Sequence, residues 1–326
     1  MIRATIARRW AEAWPPPPWR RWRSSSGPII LETVLALAGG PTRGDARDVP
    51  VPAGPAFAQT WPTAGFRHDL WGQVLTAHVD DEGLVDYAAL GESGEFQEYL
   101  HRLANTDPAA VGGSRDRLAF WINAYNALAL LGVLESLPPE RSAWDAFTVL
   151  QVTVPGVEER GKGFFQGLRF QVGGRRLTLD EIEKAVIFQV PEWVAGDQAY
   201  YRSAGPEVPD PRVHFALVCA ARGCVKLHRE AYEGARLDGQ LAEAVRQFTR
   251  DSARARFDAT TRTMHLSRLL EWYRDDLTDP RFSPHGRTVA EFLSRYVDDG
   301  ALARALSSGS WRAVYVDYDW RLNLRR

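Results

Sequence analysis

The chain has 326 residues, with 40 Lys and Arg against 41 Asp and Glu, which leaves a formal net charge of −1. Hydrophobic residues make up 45% of the chain and charged residues 25%, as in an ordinary folded protein, and this excludes collagen, bulk disorder and a polytopic membrane protein. The near-neutral charge gives no support to nucleic-acid binding, and two cysteines are too few for a disulfide-dense scaffold.

The first 60 residues differ in composition from the rest of the chain. Six arginines and four of the twelve tryptophans lie before residue 24, around the four consecutive prolines at 15–18. An apolar run at 29–38 and an Ala-Phe-Ala sequence at 56–58 are parts of a secretory signal, although roughly 18 residues separate them. We therefore expect residues 1–60 to be either a disordered leader or an export signal, and residues 61–326 to form a single domain.

Helical patterns open the domain. Apolar residues recur at helical spacing over 66–79 and over 96–103. Residues 118–137 are apolar on nearly every side, which predicts the central buried helix of the domain. This stretch is long enough to cross a bilayer, but it contains polar residues and ends at two prolines, as a globular helix does. We therefore expect no integral membrane span in the mature domain.

Short strands and further helices follow. Gly173 and Gly174 separate two alternating apolar runs and predict a two-residue hairpin turn. Thr178 and Glu181 have the spacing of a capping box, which predicts a helix to about residue 189. Strands are predicted over 147–154, 168–172, 177–179, 213–218, 257–258, 264–266 and 314–316, and another helix from 238. The fold class is α+β: a helix-rich single globular domain with short antiparallel strands and hairpins around the central helix.

Both cysteines follow an apolar run. A strand over 213–218 would end at Cys219 and leave Arg222 and Cys224 on a loop, where catalytic groups are commonly found. Either thiol is a candidate nucleophile, with Arg222 lowering the thiol pKa and a histidine as the base. His214 is a poor partner for Cys219, because five residues along a strand place the two on opposite faces, about 16 Å apart. The alternatives are that both cysteines pack as small apolar residues or, in an exported protein, form a disulfide.

Asn123 and Asn126 lie three residues apart on the predicted central helix and share one face. A buried amide without partners costs about 1–3 kcal/mol, so both side chains must form hydrogen bonds. They either hold the backbone of neighbouring loops or line a polar pocket. Arg222, Asp319 and Glu183 are single charges in apolar or aromatic surroundings, which are more often structural partners than catalysts. The seven histidines show no paired ligand spacing and nucleotide-binding motifs are absent, so we expect neither a metal site nor a cofactor.

Six motifs occur in order along the domain. They are VDYAAL (85–90), LAFWINAYNALAL (118–130), LTLDEIE (177–183), RVHFALVCAARGC (212–224), LLEWYRDDL (269–277) and YDWRLN (318–323). Together they resemble the DUF547 family, a domain family of unknown function, over roughly residues 65–324. Bacterial members of that family are often exported, so the resemblance favours an exported or periplasmic protein. The family pattern has proline after Cys224, where this chain has Val225, and arginine where it has His228. Because Cys224 is replaceable in the family, the resemblance weakens a thiol mechanism.

Two functions are compatible with these residues. The first is an exported enzyme of the hydrolase or acyl-transferase type, with Cys219 as nucleophile and a polar pocket between the 118–137 helix and the 219–224 loop. The binding residues would be Asn123, Asn126, Arg222 and Asp319. The second is a non-catalytic ligand-binding or protein-interaction domain, in which these residues only stabilise the fold. Either way we expect the partner to be an unidentified small molecule or protein.

Overall fold

The computed structural model describes residues 47–51, 66–157, 159–194, 196–280 and 287–326, which belong to one mixed α+β unit. Its α-helices are α1 (Asp69–His78), α2 (Tyr87–Gly91), α3 (Gly94–Asn105), α4 (Ser114–Leu134), α5 (Pro191–Val194), α6 (Gln198–Ala204), α7 (Leu237–Arg250), α8 (Leu269–Trp272), α9 (Arg274–Thr278), α10 (Val289–Leu293) and α11 (Gly300–Ser307). Its strands are β1 (Arg47–Asp48), β2 (Leu168–Val172), β3 (Arg175–Leu177), β4 (Ala255–Asp258), β5 (Thr263–Ser267) and β6 (Arg312–Val316). The predicted leader lies mostly outside the described residues and stays a prediction.

Helix α4 forms the centre of the fold. Every residue from Leu118 to Val133 is buried. Asp116 caps the N-terminus, because its carboxylate accepts the backbone N–H of Gly113 at 2.9 Å. Among the described residues α4 is the one helix long and apolar enough to cross a membrane, but 89% of its apolar stretch is buried inside the protein. It is therefore the predicted core helix, shifted toward the N-terminus relative to 118–137.

The first sheet confirms the hairpin predicted at Gly173 and Gly174. Strands β2 and β3 pair antiparallel, and the two glycines have φ values of 56° and 74°. A two-residue turn of this kind needs positive φ at both positions, which glycine adopts without steric cost. Strand β1 adds a parallel pair to β2, and Val49 just beyond it is buried. Residues 47–51 thus pack on the domain, although they lie within the predicted leader.

The second sheet has the order β4–β5–β6. Strands β4 and β5 form the second predicted hairpin, with antiparallel pairing. Strand β6 pairs parallel to β5. A parallel pair requires a long connection, and helices α8 to α11 lie in it. Each sheet therefore contains one parallel pair beside the expected antiparallel one.

The strand predicted over 147–154 is wrong. The chain forms the short 3₁₀ helix Val149–Gln151 there instead. Thr148 precedes it as a capping residue, and its hydroxyl accepts the N–H of Leu150 at 3.4 Å. The Thr-x-x-Gln spacing is a helix-start signal, and it outweighs the β-branched alternation of the surrounding residues.

The strand predicted over 213–218 is also wrong. The 3₁₀ helix Pro211–Phe215 occupies this place, opened by Asp210, whose carboxylate accepts the N–H of Arg212 at 2.9 Å. An Asp-Pro pair is a helix-start signal, because the proline lacks an N–H that the first turn would leave unpaired. His214 and Cys219 therefore do not lie on one strand, and the distance derived from strand geometry does not apply.

A capping box starts the segment after β3, as predicted. Glu181 accepts the N–H of Thr178 at 2.8 Å, and the Thr178 hydroxyl accepts the N–H of Glu181 at 3.1 Å. The helix that follows, Glu181–Ile187, has π geometry rather than α geometry. Single π turns are frequent at functional sites. This one carries Glu183, which is buried.

Candidate functional site

The side chains of Asn123 and Asn126 both form hydrogen bonds with the backbone of other segments. The Asn123 amide donates to the carbonyl of Tyr232 at 2.8 Å and accepts the N–H of the same residue at 2.9 Å. The Asn126 amide donates to the carbonyl of Ala216 and accepts the N–H of Val218, both at 2.9 Å. All the bonds join α4 to distant loops. Of the two alternatives open from the sequence, the structure shows the backbone clamp.

Arg222 and Asp319 likewise have local partners. The Arg222 guanidinium donates to the carbonyl oxygens of Leu322 at 3.3 Å and Leu324 at 3.1 Å. Asp319 pairs with Arg321 at the surface, and the hydrogen bond from that guanidinium is the main cause that lowers the pKa of Asp319. Arg222 therefore fastens the C-terminal segment, whereas Asp319 has a partner within that segment, and neither is hydrogen-bonded to the two asparagines.

Backbone pairing holds the 219–224 loop against the 318–323 segment. The hydrogen bonds run from Arg222 N to Arg321 O (2.8 Å), from Gly223 N to Asp319 O (2.8 Å) and from Asn323 N to Ala220 O (3.0 Å). A Cβ atom at Gly223 would lie 2.8 Å from the backbone nitrogen of Asp319, so this close approach requires glycine. Ala220 has a φ of 59°, a conformation that is costly for alanine and persists where the surroundings hold the backbone in place.

The two cysteines of this loop are neighbours in space. The Cys219 N–H donates to Cys224 Sγ at 3.0 Å, and each thiol shifts the pKa of the other. Tyr318 Oη lies 3.1 Å from Cys219 Sγ. Both cysteines are free, and Cys219 is partly exposed whereas Cys224 is buried. Beside them, the Arg254 guanidinium donates to the carbonyl oxygens of Cys224 at 2.7 Å and Arg222 at 3.0 Å. We call Cys219 and Cys224 the thiol pair.

The surroundings give the two thiols different acidities. Desolvation raises the pKa of Cys219 well above its usual value, and the neighbouring Cys224 raises it further. Desolvation also opposes ionisation of Cys224, but hydrogen bonds from Cys219 and from the Tyr318 hydroxyl outweigh it and lower the pKa of Cys224 to about 7. The pair therefore releases one proton near neutral pH and retains the second. The sequence predicted that the charge of Arg222 would lower a thiol pKa, but hydrogen bonds lower the pKa of Cys224 instead.

A second polar cluster surrounds His214. The imidazole lies between the rings of Phe188 and Tyr273, with ring centroids 4.4 Å and 3.6 Å away. Its Nε2 lies 2.9 Å from Oδ2 of Asp276, and its Nδ1 lies 3.7 Å from Oε1 of Glu183. Nδ1 is buried and has no hydrogen-bond partner among the described residues. We call Glu183, His214, Tyr273 and Asp276 the acid–base cluster. Sequence reasoning missed it as a group and treated Glu183 as an isolated charge.

Burial makes Glu183 difficult to ionise. Desolvation is the largest effect and raises the pKa of this carboxyl, while the charges of Lys184 and His214 oppose the rise. Asp180 adds to the rise, and the Tyr273 hydroxyl donates a hydrogen bond to the Glu183 carboxylate. A buried carboxyl beside an imidazole holds its proton to higher pH than an exposed carboxyl does, which suits proton exchange during a reaction.

Tyr125 of α4 is within electrostatic range of both the acid–base cluster and the thiol pair. Desolvation is the main cause that raises the pKa of its hydroxyl. The charges of Glu183, Cys219 and Cys224 raise that pKa further, so groups of both clusters act electrostatically on one hydroxyl. We treat the two clusters as one candidate site.

Adjacent aromatic residues connect the clusters a second time. Tyr273 stacks on His214, and its neighbour Trp272 packs against Tyr318 and Trp320 at centroid distances of 4.9 Å and 5.8 Å. The rings of Trp272, Tyr318 and Trp320 are half-buried rather than part of the core. They form an aromatic wall beside the thiol pair.

The six sequence motifs meet at this site. Each motif contributes at least one of its residues: Tyr87, Tyr125, Glu183, Cys219, Tyr273 and Tyr318. Tyr87, the outermost of them, donates its hydroxyl to Asn323 Oδ1 at 2.7 Å, and the charge of Cys219 raises its pKa beyond the effect of burial. The motif positions taken together were thus the signal in the sequence that could have located the site.

The site offers no evident metal position. Within the residues that the structure describes, no group of three or more His, Cys, Asp or Glu side chains is arranged to hold a metal ion. The two cysteines are the only residues of the chain that could supply a thiolate ligand.

Comparisons with known proteins give one match. The family model described as "Protein of unknown function, DUF547" matches residues 112–249, a range that contains α4, Glu183, His214 and the thiol pair. No curated protein and no solved structure matches the chain. The predicted resemblance to the DUF547 family is confirmed by this match over residues 112–249.

Proposed function

We propose that this domain is a thiol-dependent enzyme of the hydrolase or acyl-transferase type, with Cys219 as its nucleophile. The observation that carries the proposal is the meeting of all six motifs around the thiol pair and the acid–base cluster. Ionisable groups are costly to bury, and a buried group of them with shifted pKa values in one place is typical of a functional site.

The thiol pair provides the nucleophile. Cys219 is the thiol that a substrate reaches first, because it is partly exposed. The Arg254 guanidinium lies within electrostatic reach of both thiols, and its positive charge favours a thiolate. In acyl transfer this thiolate attacks the acyl carbon and forms a thioester, while the leaving group departs with a proton. Water or another acceptor then cleaves the thioester and regenerates the thiol.

The acid–base cluster is assigned to proton transfer. Glu183 holds a proton in a desolvated position, and His214 lies between that carboxyl and Asp276. Tyr125 is the group through which this cluster and the thiol pair act on each other. Asn123 and Asn126 are assigned no contact with substrate, since both of their amide groups are engaged with backbone.

Thiol reactivity is the first test. The rate of alkylation by iodoacetamide, followed by mass spectrometry across a pH series, should rise with a midpoint near the pKa of Cys224, about 7, because the pair shares its first ionisation. Cys224→Ser removes the group that ionises near pH 7 and leaves Cys219, whose pKa desolvation raises, so the midpoint for alkylation should move to higher pH. A wild-type midpoint as high as that of Cys224→Ser would contradict the proposal.

Acyl transfer is the second test. The reduced full chain is incubated with p-nitrophenyl esters and thioesters of increasing acyl length, and the protein is digested and analysed for a thioester adduct. We expect the adduct on Cys219, and we expect it to be lost in Cys219→Ala. Asp319→Asn is the matched control, because that carboxylate has a surface partner, and it should keep wild-type turnover. Turnover that survives in Cys219→Ala would refute the role of Cys219 as the nucleophile.

A non-catalytic ligand-binding or protein-interaction domain is the second candidate. It is favoured by the fact that Asn123, Asn126 and Arg222, all predicted to bind a ligand, hold backbone instead. On this alternative Tyr273→Phe and Cys219→Ala would lower the melting temperature without changing any acyl turnover, because none would exist.

A further inference from the structure

The geometry of the loop places Cys219 and Cys224 close together. Cys219 and Cys224 are the only cysteines of the chain. The loop turns back on itself, since the Cys224 N–H donates to the Ala221 carbonyl at 3.0 Å, and this brings Cys224 Sγ to 3.0 Å from the Cys219 nitrogen. The buried sulfur therefore lies against the Cys219 backbone before any reaction occurs.

The surroundings keep that contact in place. Pairing with the 318–323 segment fixes the loop on one side, and Arg254 holds the carbonyl oxygens of Arg222 and Cys224 on the other. Arg254 itself is ion-paired with Asp251. When one of two neighbouring thiols forms a mixed disulfide, the other attacks it faster than an external thiol does, because the two groups are already held close together.

The two thiols also differ in the properties that disulfide exchange requires. Cys219 is partly exposed and can meet an external disulfide, whereas Cys224 is buried directly behind it. Hydrogen bonds and the nearby Arg254 charge favour a thiolate within the pair. One sulfur is thus placed for attack on a reagent and the other for resolution.

We propose that Cys219 and Cys224 form a reversible disulfide by exchange with low-molecular-weight disulfides, and that this bond switches off the proposed nucleophile. The Cys219 thiolate attacks one sulfur of the external disulfide, whose S–S bond breaks and releases one thiolate. The Cys224 thiolate then attacks Cys219 Sγ, breaks the mixed disulfide and releases the second external thiolate. The two protein thiols are oxidised by two electrons, the external disulfide is reduced to two thiols, and the protons of the cysteines end on those thiols.

Only the loss of activity on oxidation rests on the proposed function. The disulfide itself follows from the closeness of the two cysteines. Formation of the bond removes the thiol that Tyr318 Oη contacts and the thiolate charge from the sulfur that accepts the Cys219 N–H. The same loop would then hold a fixed disulfide in place of an ionisable pair, and no thiolate would be available to an acyl substrate.

The test uses the reduced full chain in glutathione buffers of increasing oxidised fraction. Free thiols are counted with Ellman's reagent after denaturation, and the intact mass is measured in parallel. Wild-type protein should pass from two thiols to none without bound glutathione. Cys224→Ser should stop at a glutathione adduct on Cys219, because it lacks the resolving thiol. Glutathione adducts on wild-type protein, or two thiols that stay free, would overturn the inference.

Acyl turnover, measured on the same samples, separates the inference from the proposed function. If both hold, turnover falls in proportion to thiol loss and returns fully after dithiothreitol. If the disulfide forms but the reduced protein has no turnover, the proposed function fails, and with it the switching of a nucleophile. If turnover exists and stays constant while the disulfide forms, the switch is overturned and Cys219 is not the nucleophile.

Discussion

The Asn126 clamp allows a sharp test of how the core is held together. Its amide is 1% exposed and forms two hydrogen bonds of 2.9 Å, to the carbonyl of Ala216 and from the N–H of Val218. Asn126→Ala would leave one buried acceptor and one buried donor without partners. Each such group costs about 1–3 kcal/mol, so the free energy of unfolding should fall by about 2–6 kcal/mol. This is a large share of the stability of a typical domain.

Urea unfolding followed by circular dichroism measures this loss. The matched control is Asn105→Ala, because Asn105 is an exposed amide whose one short hydrogen bond, 2.8 Å, goes to the carbonyl of His101 in its own helix. That change should cost no more than about 0.5 kcal/mol, as surface substitutions usually do. A loss below about 1 kcal/mol for Asn126→Ala would refute the reasoning, since two desolvated backbone groups cannot be left unpaired at so small a cost.

Three further predictions concern the residues around the site. Gly223→Ala should destabilise the protein by about 1–3 kcal/mol in urea unfolding, because its Cβ would lie 2.8 Å from a backbone nitrogen. Gly72→Ala in α1 is the control and should be neutral or stabilising, because no atom from outside its own helix would lie within 4 Å of the added Cβ. Equal losses of stability in the two variants would contradict this prediction. Glu183→Gln should flatten the pH dependence of stability. The pKa of Glu183 in the folded state is raised above the ordinary value of 4.5, so its contribution to stability is complete below pH 4.5 and is lost as the pH rises through the folded-state pKa. Parallel curves of unfolding free energy against pH for the variant and the wild type would count against this prediction. Asp319→Asn should leave the melting temperature unchanged, because its partner Arg321 is 71% exposed and solvent screens the pair; a clear loss would show that the pair holds the C-terminal segment.

The parts of the fold that could be predicted are those that depend on neighbours in sequence. The apolar run of α4, the two glycines of the hairpin and the Thr178–Glu181 capping box are each specified within a few residues, and all three are present. The two strands that proved wrong, at 147–154 and 213–218, are short apolar runs. Such runs fit a buried strand and a buried helical turn equally well, and the capping residues beside them decided the outcome.

The residues of the candidate site were also predictable only in part. Cys219 and Cys224 were singled out from the sequence, and the structure places them together. The roles of Asn123 and Asn126 were left open, because their partners lie 109 and 90 residues away in the chain. Spacing along a helix shows that two amides share a face, but it does not show whether that face meets backbone or a cavity.

The sequence by itself determined the α+β class, the core helix, the main hairpins and the DUF547 resemblance. Only the tertiary structure decided which polar groups share a site. Tyr318 reaches Cys219 across 99 residues, and Asp276 reaches His214 across 62. Contacts over such separations arise from the packing of whole elements, so local propensity and spacing carry no information about them. The motifs could name the residues of the site, and packing alone could bring them together.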